Sequence, residues 1–248
     1  MLKIRKEQVK ELEQAAAGNF EQRLAEYARA TFPKHCRVFD DEGLRKLVRY
    51  AMDQAQAYGM LSEKAAETYL RTIFLLGHHF DNDRQYSWTA EILGDDAGEE
   101  ERADRLERRG MEYLEKAGGA GYAHYYEALR RMRREPLRFE RPPRQSLDDY
   151  ALSRLKALYP QKVESLSPDG VKAAAEHGNE SAKAHGISSD PGRFLMIALV
   201  FMLGAGFDTD PQFPWAAGAL TEKTEQDKVR KLHAEAMNCL DSWLDENG

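Results

Sequence analysis

FMLGAGFDTDPQFPWAAGAL, residues 201–220, returns in altered form a stretch that lies 127 positions earlier, FLLGHHFDNDRQYSWTAEIL, residues 74–93. The two agree at ten of twenty positions. The same shift carries Phe20 to Leu93 onto Leu147 to Leu220 without a gap, with 17 of 74 positions identical, where unrelated chains of ordinary composition share roughly one position in fifteen. The echo falls on helix punctuation: Phe32-Pro33 returns as Tyr159-Pro160, Gly43 as Gly170, and AQAYGMLS (55–62) as AKAHGISS (182–189). With a one-residue deletion Met111 and Leu114 also meet Met237 and Leu240. A period this long marks a repeated supersecondary unit.

The unit is helical. Ala, Leu, Glu, Lys and Arg dominate, apolar residues recur every three or four positions, and there is little β-branched alternation. Val9, Leu12, Ala16, Phe20, Leu24 and Ala28 predict a first helix over 6–31, stopped by Pro33. Asp40 or Asp41 caps a second and Ser62 a third, which Gly77 closes. A charged helix over 99–116 follows, ended by Gly118 and Gly119. The expected fold is all-α: a first helical repeat over 1–117, a linker helix with an Arg- and Pro-rich connector over 118–146, and a second repeat over 147–248, both repeats packed around the linker helix.

The longest apolar run, Phe194 to Phe207, has fourteen residues, short of the roughly twenty that span a bilayer, and reads as a buried core helix. The N-terminal segment has charges throughout and no apolar signal-peptide core, and only Cys36 and Cys239 are present, so a cytoplasmic, reducing location is expected and a disulfide framework is excluded. With 36 basic and 42 acidic residues the formal charge is −6, which argues against a general nucleic-acid coat and favours basic partners.

His78, His79, Asp81 and Asp83 offer ordinary ligands for zinc, iron or manganese. The second copy has Ala205 and Gly206 in place of the histidines, while Gly77, Phe80, Asp81, Asp83 and Trp88 return as Gly204, Phe207, Asp208, Asp210 and Trp215. The common requirement is therefore not a histidine site. An EF-hand is excluded, since the sixth and twelfth positions from Asp81 are Tyr86 and Ile92. The simpler expectation is structural: glycine ends the core helix, phenylalanine turns inward, aspartate accepts backbone N–H groups, and tryptophan anchors a short helix, with a partner-binding surface as the alternative use of the same loops.

In the linker, Tyr122, His124, Tyr125 and Tyr126 are expected to fill a groove between the repeats, with stacking on a ligand or partner as the alternative. Arg130 and Arg134, with Arg131, Arg133, Arg138, Arg141 and Arg144 among Glu135 and Glu140, read as a salt-bridged segment that could otherwise grip a partner or phosphate. No G-x-S-x-G, H-E-x-x-H, P-loop or Cys-His motif occurs, so no catalytic residue and no cofactor is expected.

IRKEQ, FEQRL, TFP, LRKLVRYAMDQAQAYGM and FLLGHHFDND…W together resemble a family of small helical bacterial proteins encoded beside type VI secretion effectors and their spike proteins. The family pattern F-D-x-D-P-x-x-P-W is complete only at Phe207 to Trp215; Arg84 and Ser87 replace its prolines in the first copy, which suggests a less rigid first loop. The resemblance implies a non-enzymatic protein that binds a secreted effector or toxin, as an immunity protein or as a chaperone or adaptor. A metal-dependent enzyme using the His78, His79, Asp81, Asp83 cluster is the alternative, and a nucleic-acid-linked regulator working through Arg130 and Arg134 a further one.

Overall fold

In the computed structural model the described residues are 6–136, 141–142 and 144–245, with side chains from residue 18 to 244. Arg138 and Glu140 of the expected salt-bridged segment, Ile4 and Arg5 of IRKEQ, and the side chains of Val9, Leu12 and Ala16 lie outside them.

The chain is all-α. Helices α1 (Lys6–Thr31), α2 (Pro33–Cys36), α3 (Asp41–Ala57), α4 (Glu63–Leu76), α5 (Ser87–Leu93) and α6 (Glu99–Gly118) come first. Helix α7 (Ala123–Arg133) follows, then α8 (Leu147–Leu158), α9 (Pro160–Ser165), α10 (Pro168–Ala184), α11 (Asp190–Leu203), α12 (Pro214–Leu220) and α13 (Glu225–Asp245). Helix α6 runs two residues beyond the expected Lys116, and Gly119 forms its C-cap.

The two series share their boundaries. Shifting α3, α4 and α5 by 127 gives the bounds of α10, α11 and α12, and the end of α1 gives the end of α8. The reason lies in matched caps. Asp40 accepts from Gly43 N at 2.7 Å and Ser62 from Ala65 N at 3.3 Å; Ser167 and Ser189 do the same for Gly170 N and Gly192 N. The last helix of each series keeps register at a shift of 126. Glu99 accepts the N–H groups of Leu61 and Ser62, while Glu225 accepts Ser189 N and Ser188 Oγ. Arg102 donates to Tyr58 O at 2.7 Å, and Lys228 to His185 O at 2.7 Å. Each final helix thus ties off a turn, α6 the one between α3 and α4 and α13 the one between α10 and α11.

Helix α11 is buried at every position from Phe194 to Met202, and α4 buries Tyr69, Leu70 and Ile73 completely. Full burial of each Val, Leu, Ile, Phe or Met among them contributes about 1.5–3 kcal/mol. These side chains join one continuous core, and α7 packs against α6, α8 and α13.

Candidate functional site: the central loops and the adjoining aromatic cavity

The loops after α4 and α11 meet each other. Gly77 and Gly204 end these helices with φ/ψ of 105/164° and 101/163°, a region that favours glycine. A Cβ at Gly77 would fall 2.8 Å from Leu203 O, and one at Gly204 2.5 Å from Leu76 O. The two helix ends therefore touch backbone to backbone, and only glycine permits it.

The second aspartate of each loop crosses to the other. Asp83 accepts the amide of Ala205 at 2.7 Å, and Asp210 accepts the amide of His78 at 2.9 Å. Both also accept from the glutamine two residues on, Asp83 from Gln85 N at 2.9 Å and Asp210 from Gln212 N at 2.8 Å. Each glutamine side chain then reaches the opposite core helix: Gln85 donates to Val200 O at 3.0 Å and Gln212 to Ile73 O at 3.3 Å. Every one of these pairs maps onto its counterpart by the shift of 127. The result is a reciprocal clasp like an isologous interface, built within one chain. Both aspartates are buried, and burial pushes the Asp210 carboxyl up, against its hydrogen bonds from Gln212 and His78.

The first aspartate of each loop stays at home. Asp81 accepts from Tyr58 Oη at 3.1 Å; Asp208 accepts from Ser181 Oγ at 2.9 Å and pairs with His185 Nε2 at 2.8 Å. Tyr58 and His185 are themselves 127 positions apart. Phe80 and Phe207 are fully buried. Trp88 and Trp215 are half-buried on α5 and α12, Trp88 beneath the Arg109 guanidinium and Trp215 beside Phe213.

The four residues of the alternative metal cluster do not converge. His78 stacks on Tyr50 at 3.9 Å between ring centres, His79 faces Thr209 Oγ1 at 3.4 Å, and the two aspartates are engaged as above. Burial, with His79 nearby, lowers the His78 pKa to about 4. Among the described residues no group of three or more His, Cys, Asp or Glu is arranged to hold a metal ion. In the first loop Arg84, where the second has Pro211, reaches Glu176 at 3.5 Å and Glu180 at 3.8 Å on α10.

Beside the clasp lies a cavity of about 540 Å³. Its walls include Tyr86, Tyr113, Tyr125, Tyr126, Tyr159 and Trp243, and the linker's Tyr125 and Tyr126 also pack against the core. Tyr125 lies 6.4 Å from Tyr159 and 6.3 Å from Trp243, ring centre to centre. At the base of this cluster sits Lys162 of α9, 2% exposed. Its Nζ donates to Tyr86 Oη at 2.8 Å and to Phe201 O, and lies 5.2 and 4.9 Å from the ring centres of Tyr86 and Phe201. Burial lowers its pKa to about 7, opposed weakly by the charge of Asp83. Burial likewise raises Tyr86, Tyr113, Tyr125 and Tyr159, so all four phenols stay protonated. Sequence reading passed over Lys162, since a lysine in YPQKVES looks like an ordinary solvated side chain.

The arginines of the linker are largely paired. Arg131 meets Glu127, Arg133 meets Asp241 at 2.8 Å, and Arg141 meets Asp190 at 2.8 Å. Arg130 and Arg134 are exposed, with Glu127 3.8 Å from Arg130. Comparison with known protein families, with curated proteins and with solved structures finds no match to this chain.

Proposed function

We propose that the protein is a non-enzymatic binding protein that handles a secreted effector, as an immunity protein or as a chaperone or adaptor. The observation that carries this reading is the clasp. The residues that recur in both loops hold the two helix series to each other, through Asp83 and Ala205 and through Asp210 and His78. A recurring motif committed to rigidity serves a scaffold that presents surface, and a preorganised surface loses less entropy on binding a partner. The resemblance of the loop pattern to proteins encoded beside type VI effectors supplies the class of partner. The formal charge of −6 would speed encounter with a basic toxin. The likeness of the two series is what a tandem duplication would leave.

Co-expression with toxins encoded beside the gene, followed by pull-down and by growth rescue of intoxicated cells, tests the reading. Stable capture with rescue identifies an immunity protein, and capture without rescue a chaperone or adaptor. Failure to bind or protect against any of them removes the proposal.

A further inference from the structure

Lys162 is the one feature of the central cavity that packing alone does not explain. Nζ carries three N–H groups when charged, and two protein acceptors are in place, Tyr86 Oη and Phe201 O. No carboxylate of the described residues pairs with it, and none lines the cavity, although the chain holds 42 acidic residues. The lysines at the cavity are Lys162 in its depth and the exposed Lys34. The nearest influential carboxylate, Asp83, is already occupied by Gln85 and Ala205.

The phenols extend this preference. Because Lys162 donates to Tyr86, the Tyr86 proton is available to Tyr113, whose oxygen lies 3.4 Å away. The Tyr113 proton is then left for an occupant of the cavity. The remaining walls are apolar or aromatic, among them Leu76, Leu203, Met202, Phe213 and Trp243. Cavities of this size hold small organic ligands.

We propose that this cavity binds a small amphipathic carboxylic acid, its apolar body against the tyrosine and tryptophan walls and its carboxylate on Lys162 Nζ and the Tyr113 hydroxyl. The carboxylate supplies both the third acceptor and the missing counter-charge, so the ligand and a proton on Lys162 bind together. The site does not depend on the effector reading, and effector capture can fail while this proposal stands.

Titration calorimetry of the full chain with decanoate and with 2-naphthoate tests it, with the matching carboxamides as uncharged controls. The expected result is saturable binding of at least one acid, with its amide at least tenfold weaker. The acid that binds decides between an acyl and an aromatic body. At pH 8, titrations in buffers of differing ionisation enthalpy are expected to show uptake of close to one proton per acid bound, because binding recharges a lysine whose pKa is near 7. Lys162→Met, checked for fold by circular dichroism, is expected to bind the acid at least tenfold more weakly. No binding of either acid, acid and amide of equal affinity, or binding without proton uptake in the wild-type chain each overturns the proposal.

Discussion

The imidazole of His79 lies over the backbone of Gly206, the residue 127 positions later: a Cβ there would fall 2.3 Å from His79 Cδ2. Equivalent positions of the two loops thus meet where both are half-buried, and there is room for one ring only. That is why a ring stands at this position in one copy only. His78 stacks on Tyr50 and His79 meets the same ring edge-on, and Gly206 of the second loop makes space for His79.

Gly206→Ala is accordingly expected to destabilise the protein by about 2–3 kcal/mol. Roughly 1–2 kcal/mol of that is the positive φ of 73°, and the rest is overlap with the ring. Adding His79→Ala should recover the overlap part and leave the backbone part. Urea unfolding of both single variants and the double variant checks it, and strict additivity would mean that the ring and the glycine do not interact.

Lys162 predicts an unusual dependence on pH. Its folded pKa is lowered to about 7 from 10.5. Between these values the unfolded chain holds a proton that the folded chain lacks, so stability rises with pH across the window pH 7 to 10.5. The burden at pH 7 is on the order of 3–5 kcal/mol, offset in part by the bonds to Tyr86 and Phe201. Lys162→Met should therefore be more stable at pH 7 by about 1–3 kcal/mol, an advantage that shrinks toward pH 10. Melting curves of the two proteins from pH 6.5 to 10 provide the comparison.

Glu225 acts on the acid side. Hydrogen bonds from Ser189, and then from Ser188, hold its carboxyl at about 2, below its ordinary 4.5. Its stabilising contribution is complete above pH 4.5 and is lost as pH falls toward 2. Glu225→Gln should cost about 1 kcal/mol at pH 7, allowing for solvent screening, and should flatten the acid limb of the stability curve between pH 4.5 and 2.

Much of the fold could be read from residues whose effect is local. Ser62 and Ser189 cap the helices that follow them, and Gly77 and Gly204 stop the core helices where the echo placed them. Contacts made across the molecule were harder to read. The loop aspartates were expected to accept nearby amides, which Asp83 and Asp210 do through Gln85 and Gln212, yet nothing in a linear pattern says that Asp83 also takes an amide 122 residues away. The metal cluster stands as an alternative on spacing alone, whereas in the fold His78 and His79 turn to Tyr50, Asp81 to Tyr58 and Asp83 to Ala205. Lys162 left no trace, because burial of a lone lysine depends on residues distant in sequence, here Tyr86 and Phe201.

The crossed hydrogen bonds are the centre of the account, and amide hydrogen exchange in Asp83→Ala and Asp210→Ala tests them most directly. Each change leaves buried donors without their acceptor and should cost about 1–3 kcal/mol, but the location of the effect is what decides. Under conditions where both variants stay folded, Asp83→Ala is predicted to speed exchange at Ala205 of the second loop, and Asp210→Ala at His78 of the first. If each substitution loosens only the loop that carries it, and the amide in the opposite loop keeps its wild-type protection, the clasp does not exist.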